Sequence, residues 1–148
     1  VSRLIKTDSA GKQRDRLMKS LAWTLRDLAA KPRLDEDARD MAAYLALALR
    51  EIHATIDATC AAWEKRDYWL KADHFRREWE WTATTADKLE KVVLENQWND
   101  LAALLAGLMP RLSKVNLPKT NTFGEVWRGA YAALREKKGL ERELRVRG

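Results

Sequence analysis

The chain has little of what staples small secreted domains together or interrupts helices: one cysteine, three prolines and six glycines in 148 residues. A lone Cys60 cannot close a disulfide within the chain, so no disulfide framework supports the fold. A reducing, cytoplasmic compartment is the default expectation, with an intermolecular bridge through Cys60 as the alternative. Long hydrophobic runs are missing too. The longest, residues 101–109 interrupted by Gly107, falls well short of the ~20 residues a membrane span needs. Residues 1–6 carry no apolar stretch leading to a small-residue cleavage site, so no secretory leader is expected.

The inventories of common chemistries are equally thin. The glycines are scattered, so no phosphate-cradling loop exists, and no serine sits in a nucleophile elbow. No cysteine pair, HExxH or Glu-x-x-His motif offers metal ligands at a familiar spacing. These absences point away from enzymes, and a non-catalytic role is expected.

What is present is helical. Composition is 46% hydrophobic and 34% charged, as in a globular helical protein, and 148 residues fit one domain with its own core. Apolar residues recur at three- and four-residue spacing, and no segment sustains strand-like alternation. A first helix is predicted from about residue 9 or 11 to 31, with Leu17, Leu21, Leu25 and Leu28 on one stripe and Pro32 ending it. Asp35 begins a second helix, with Glu36 and Asp37 at its positive end. No breaker then intervenes until Asn96. A continuous helix over residues 34–97 would be ~95 Å long, too long for a chain of this size. A turn is therefore expected at Lys65-Arg66-Asp67, where Asp67 can cap the next helix.

That third helix should turn Trp69, Ala72, Phe75, Trp79, Thr82, Ala86, Leu89 and Val93 inward, with an irregularity near Thr82–Thr85, where Thr84 and Asp87 resemble a capping box. A turn follows at residues 96–100, capped by Asn96 or Asn99. The fourth helix covers about 100–115 and is kinked at Pro110. Thr122 and Glu125 form a capping box for a final helix that fades near Gly139, leaving a frayed tail from about 140. Short loops favour antiparallel neighbours. The expected fold is all-α: one up-down antiparallel four-helix bundle spanning 1–148, with a short additional C-terminal helix.

Charge is unevenly distributed. Residues 1–33 carry +6, residues 34–100 carry −6 and residues 101–148 carry +6. Basic ends packing beside an acidic hairpin is the simplest reading; the alternative is a free basic end that meets an anionic partner. Lys12, Arg14, Arg16 and Lys19, with Arg135, Lys137, Lys138, Arg142, Arg145 and Arg147, would supply sequence-independent phosphate contacts. No recognised nucleic-acid-binding motif accompanies them.

Two constellations are candidate sites. His53 with Asp57, and His74 with Glu78, are i,i+4 pairs. A hairpin turning near Arg66 would bring all four to one level, a weak candidate set for a transition metal. The aromatic stretch 63–81 holds Trp79 and Trp81 about 200° apart around a helix, so one of them should reach the surface. Tyr68, Arg77 and Trp81 are then a candidate interaction surface, being residue types that dominate interface hot spots. Trp23, Trp63, Trp79 and Trp98 could line an apolar ligand site, yet tryptophan at helical spacing reads as core, and neither a cofactor nor a small-molecule ligand is expected. The functional expectation is a protein that works through protein contacts or self-association, with nucleic acid as the alternative partner.

Overall fold

Several helix boundaries fall near the expected places, but of the expected side-chain caps only that of Asp35 is made. The computed structural model describes residues 7–147, so the reading of residues 1–6 lies outside the described residues. Six α-helices occur among the described residues: α1 (Thr7–Ala29), α2 (Glu36–Glu64), α3 (Trp69–Glu78), α4 (Glu80–Leu94), α5 (Leu101–Leu112) and α6 (Ala130–Arg147). A single 3₁₀ turn, Trp98–Asp100, precedes α5. No strand occurs among the described residues, and the all-α expectation holds. Nor is any helix among them long and apolar enough to cross a membrane.

Asp35 caps α2 as expected: its Oδ1 accepts the Ala38 N–H at 2.8 Å, and Lys31 pairs with the same carboxylate at 2.6 Å. The fold-back after α2 is also real, but Asp67 builds it differently. Asp67 is left-handed (φ 63°), and the Tyr68 and Asp67 N–H groups return to the carbonyls of Trp63 and Glu64. That is the Schellman pattern, which closes the end of a helix rather than opening the next. Asn96 (φ 54°) ends α4 in a related way, with the Gln97 N–H on the Val92 carbonyl at 2.9 Å. Neither Asn96 nor Asn99 caps α5.

The expected third helix is broken in two at Trp79, three residues before the anticipated irregularity. The Thr82 hydroxyl and the Thr82 N–H both donate to the Trp79 carbonyl, at 2.7 and 3.1 Å. A threonine side chain competing for a helix carbonyl in this way disturbs the local ladder. Thr84 makes no capping box; its hydroxyl bonds back to the Glu80 carbonyl at 3.4 Å.

α2 is the organising helix, packing against α1, α3, α4 and α6, while α5 lies against α1 and α4. Cross-links between Ser20 and Tyr44 and between Arg14 and Thr59 make α1 antiparallel to α2. Arg76–Glu64, His53–Thr82 and Arg50–Glu90 do the same for the α3–α4 arm. Leu45, Leu49 and Ile52 of α2 are fully buried among Leu21, Leu89, Val93, Leu108 and Leu134. Burial of side chains this size contributes about 1.5–3 kcal/mol each.

The C-terminal helix differs from expectation at both ends. Thr122 and Glu125 do not open it: Asn121 folds an Asx turn over Phe123, and Gly124 and Gly129 take positive φ, so helix begins only at Ala130. Its N-terminus is capped from a distance, the Asp40 carboxylate of α2 accepting the N–H groups of Gly129 (3.0 Å) and Tyr131 (2.9 Å). It then passes through Gly139 without fading and, at 18 residues, outruns the 12 of α5. A mid-helix glycine costs only about 1 kcal/mol relative to alanine. Lys138, bonded to Glu90 at 2.9 Å and Glu141 at 3.1 Å, ties down the turns on either side.

Candidate functional site

The two histidines do not converge. His53 Nδ1 faces the Thr82 hydroxyl at 3.3 Å and its Nε2 lies 3.8 Å from Asp57, while His74 is exposed on α3. Among the described residues no three His, Cys, Asp or Glu side chains come together as a metal-binding group. The antiparallel register puts Thr82, not Glu78, opposite His53. The four weak candidates thus form no such group among the described residues.

The expected surface of Tyr68, Arg77 and Trp81 is also divided. Tyr68 precedes α3 and Trp81 follows it, and ten helical residues separate ends by ~15 Å. Arg77 is exposed and pairs locally with Asp73 at 2.6 Å. Trp81 is half-buried, stacked on Trp79 with ring centroids 5.9 Å apart and planes at 25°. A regular helix would have kept these rings apart; the break at Trp79 brings them together. Tyr68 instead belongs to an apolar turn with Trp69 and Leu70, exposed by 51%, 59% and 88% respectively. Trp69 was expected inside. It is the first residue of α3, just past the end of α2, and stands 59% exposed.

A continuous aromatic ladder runs inward from that turn. Trp63 meets Phe75 edge-on at 5.1 Å, Phe75 leans on Trp79 at 6.2 Å, and Trp79 stacks on Trp81. Cations cover it: Lys71 lies 4.3 Å from the Trp63 ring, Arg14 lies 5.0 Å from Phe75 and 5.8 Å from Trp79, and Arg111 lies 5.2 Å from Trp81. Such contacts strengthen as water is removed.

Arg14 is the least expected member. It crosses from α1 to α2, its Nε donating to the Thr55 hydroxyl at 3.1 Å and its Nη2 to the Thr59 hydroxyl at 2.8 Å. Burial pushes its pKa down, partly offset by the neighbouring Cys60. Cys60 itself is fully buried, its thiol donating to the Ala72 carbonyl at 3.3 Å, and burial pushes its pKa up. The intermolecular bridge through Cys60 is therefore closed off in the folded chain. Sequence reasoning placed Arg14 among the exposed charges of the basic N-terminal end and passed over Thr55, Leu70 and Arg111. Thr55 and Thr59, one turn apart on an otherwise apolar face, were the one available signal that α2 receives a polar side chain.

The basic ends meet the acidic middle in part. On α6, Lys138 reaches Glu90, and Arg128 just before it reaches Asp37 at 3.5 Å. On α1 the described partners of Arg14 are neutral, and Lys19 pairs within its own helix with Asp15. Charge complementarity thus describes the C-terminal end better than the N-terminal one.

Compared with protein-family models, curated proteins and solved structures, the chain matches none.

Proposed function

We propose that this chain is a non-catalytic helical module that acts through protein contact, self-associating at the Tyr68-Trp69-Leu70 turn. In this reading α1, α2, the α3–α4 arm and α5 serve as the rods of an up-down four-helix bundle that presents the turn at one end. The supporting observation is the exposure of three consecutive large apolar side chains, 51%, 59% and 88%. Single exposed apolar residues are ordinary, but a contiguous group containing Trp and Tyr has the composition of an interface core.

A second copy of the chain is the favoured occupant. The turn is flanked by Lys65, Arg66 and Lys71 on one hand and Asp67 and Asp73 on the other. Both signs on one patch allow it to pair with itself across a two-fold axis, as an isologous interface requires. Sedimentation velocity over a concentration series tests the reading. A dimer is expected for the natural chain, and a monomer with unchanged helix content for Leu70→Glu or Trp69→Ala. A natural chain that stays monomeric at high micromolar concentration overturns it.

A further inference from the structure

Between the first half of α1, the Trp79 break and the end of α5 lies a groove of about 470 Å³ where cations outnumber carboxylates. Arg14, Lys19, Arg111 and Lys114 line it, and the one acid in its wall, Asp15, pairs with Lys19 at 3.2 Å. Among the described residues no carboxylate pairs with Arg14, Arg111 or Lys114. Three other arginines that bridge elements have anionic partners: Arg50 has Asp87 and Glu90, Arg76 has Glu64, and Arg128 has Glu125 and Asp37. Arg14 does not. Among the described residues no carboxylate pairs with it, and its Nη1 has no hydrogen-bond partner. A half-buried cation held only by hydroxyls, a carbonyl and ring faces is electrostatically incomplete, because buried charges are ordinarily paired.

We propose that this groove binds a small phosphate ester, with the phosphate on Arg14, Arg111 and Lys114 and the organic part against Trp79. A dianion suits these three cations better than a monocarboxylate, and guanidinium groups favour phosphate oxygens through paired N–H donors. The volume lies within the range of small-ligand pockets. This departs from the sequence-based expectation of no small-molecule ligand, and it is independent of the exposed turn.

Calorimetric titration with AMP and with pyrophosphate, at fixed ionic strength in phosphate-free buffer, tests it. Saturable binding is expected, weakened about tenfold or more by Lys114→Glu or Arg111→Glu, a loss the size of one charge-assisted hydrogen bond. Both positions are exposed, so helix content and unfolding midpoint should not move. Arg14→Lys, which keeps the charge but gives up the planar guanidinium that Thr55 and Thr59 hold in place, should also weaken binding. Arg142→Glu on α6 should leave it unchanged, and so should Leu70→Glu, which separates this result from the fate of self-association. Vesicles bearing phosphatidic acid, against phosphatidylcholine alone, distinguish a lipid headgroup from a free ester; retention on them must likewise require Lys114. Absence of binding, or equal binding in Lys114→Glu, overturns the assignment. So does an oligonucleotide that binds where neither AMP nor pyrophosphate does.

Discussion

Glu90 offers the sharpest test of how the helices are held together. Its side chain is 7% exposed and joins three of them: Arg50 of α2 donates through Nε (3.0 Å) and Nη2 (3.3 Å), and Lys138 of α6 through Nζ (2.9 Å). Replacing Glu90 by Gln keeps the shape and removes the charge. Breaking a buried pair costs ~3–5 kcal/mol when the remaining charge is stranded. Arg50 and Lys138 retain 27% and 24% exposure, and Arg50 keeps Asp87, so water and the second carboxylate recover part of that. A loss of about 2 kcal/mol is expected in urea unfolding at neutral pH, given ~1.5–3 kcal/mol for hydrogen bonds to charged groups. The pH dependence gives a second reading. Burial alone would raise the Glu90 carboxyl, yet its bonds to Arg50 and Lys138 hold its pKa below the ordinary glutamate value. A depressed carboxyl contributes stability that is fully present above the unfolded pKa, about 4.3, and disappears as pH falls through the folded one. The gap between the natural chain and Glu90→Gln should therefore be constant near neutrality and shrink on acidification below about pH 4.3. A gap under ~0.5 kcal/mol, the usual size for an uninvolved surface change, or one indifferent to pH, would refute the reasoning.

Three further outcomes follow from single contacts. Asp40→Ala should cost about 1 kcal/mol, the typical loss of a helix cap, and speed amide exchange at Gly129 and Tyr131; unchanged exchange there would deny the remote cap. Asp67→Gly should stabilise by up to ~1 kcal/mol, because glycine adopts the left-handed conformation that Asp67 occupies without steric penalty; destabilisation in thermal melts would mean that the Asp67 side chain supports the turn. Cys60 should resist thiol reagents in the native chain and react at once in denaturant, since the thiolate is the reactive form and burial disfavours it; a fast native reaction would place Cys60 at the surface.

Local chemistry made much of the helical layout legible. Pro32 and Asp35 bracket the first loop because one lacks a donor and the other supplies an acceptor, effects that act within a turn of chain. The reversal near Arg66 was legible only through chain length, and the sequence misassigned its agent. Asp67 suits an N-cap and a left-handed C-terminal position alike, and the packing of α3 against α2 selects between them. The break at Trp79 was missed because Thr82 reads as an ordinary inward residue until its hydroxyl is seen on the Trp79 carbonyl.

The candidate sites were less legible, since each depended on rotations that sequence leaves free. A helix turns 100° per residue, so a small shift in register exchanged Glu78 for Thr82 opposite His53 and turned Trp81 from an outward ring into part of a stack. Period, caps and breakers act over three or four residues and are written in the chain itself; they determined that this protein is helical and roughly where its helices stop. Which face of each helix meets which neighbour depends on residues tens of positions apart. Only the tertiary structure could decide that Arg14 lacks a carboxylate, that Asp40 caps α6, and that Leu70 stands in solvent.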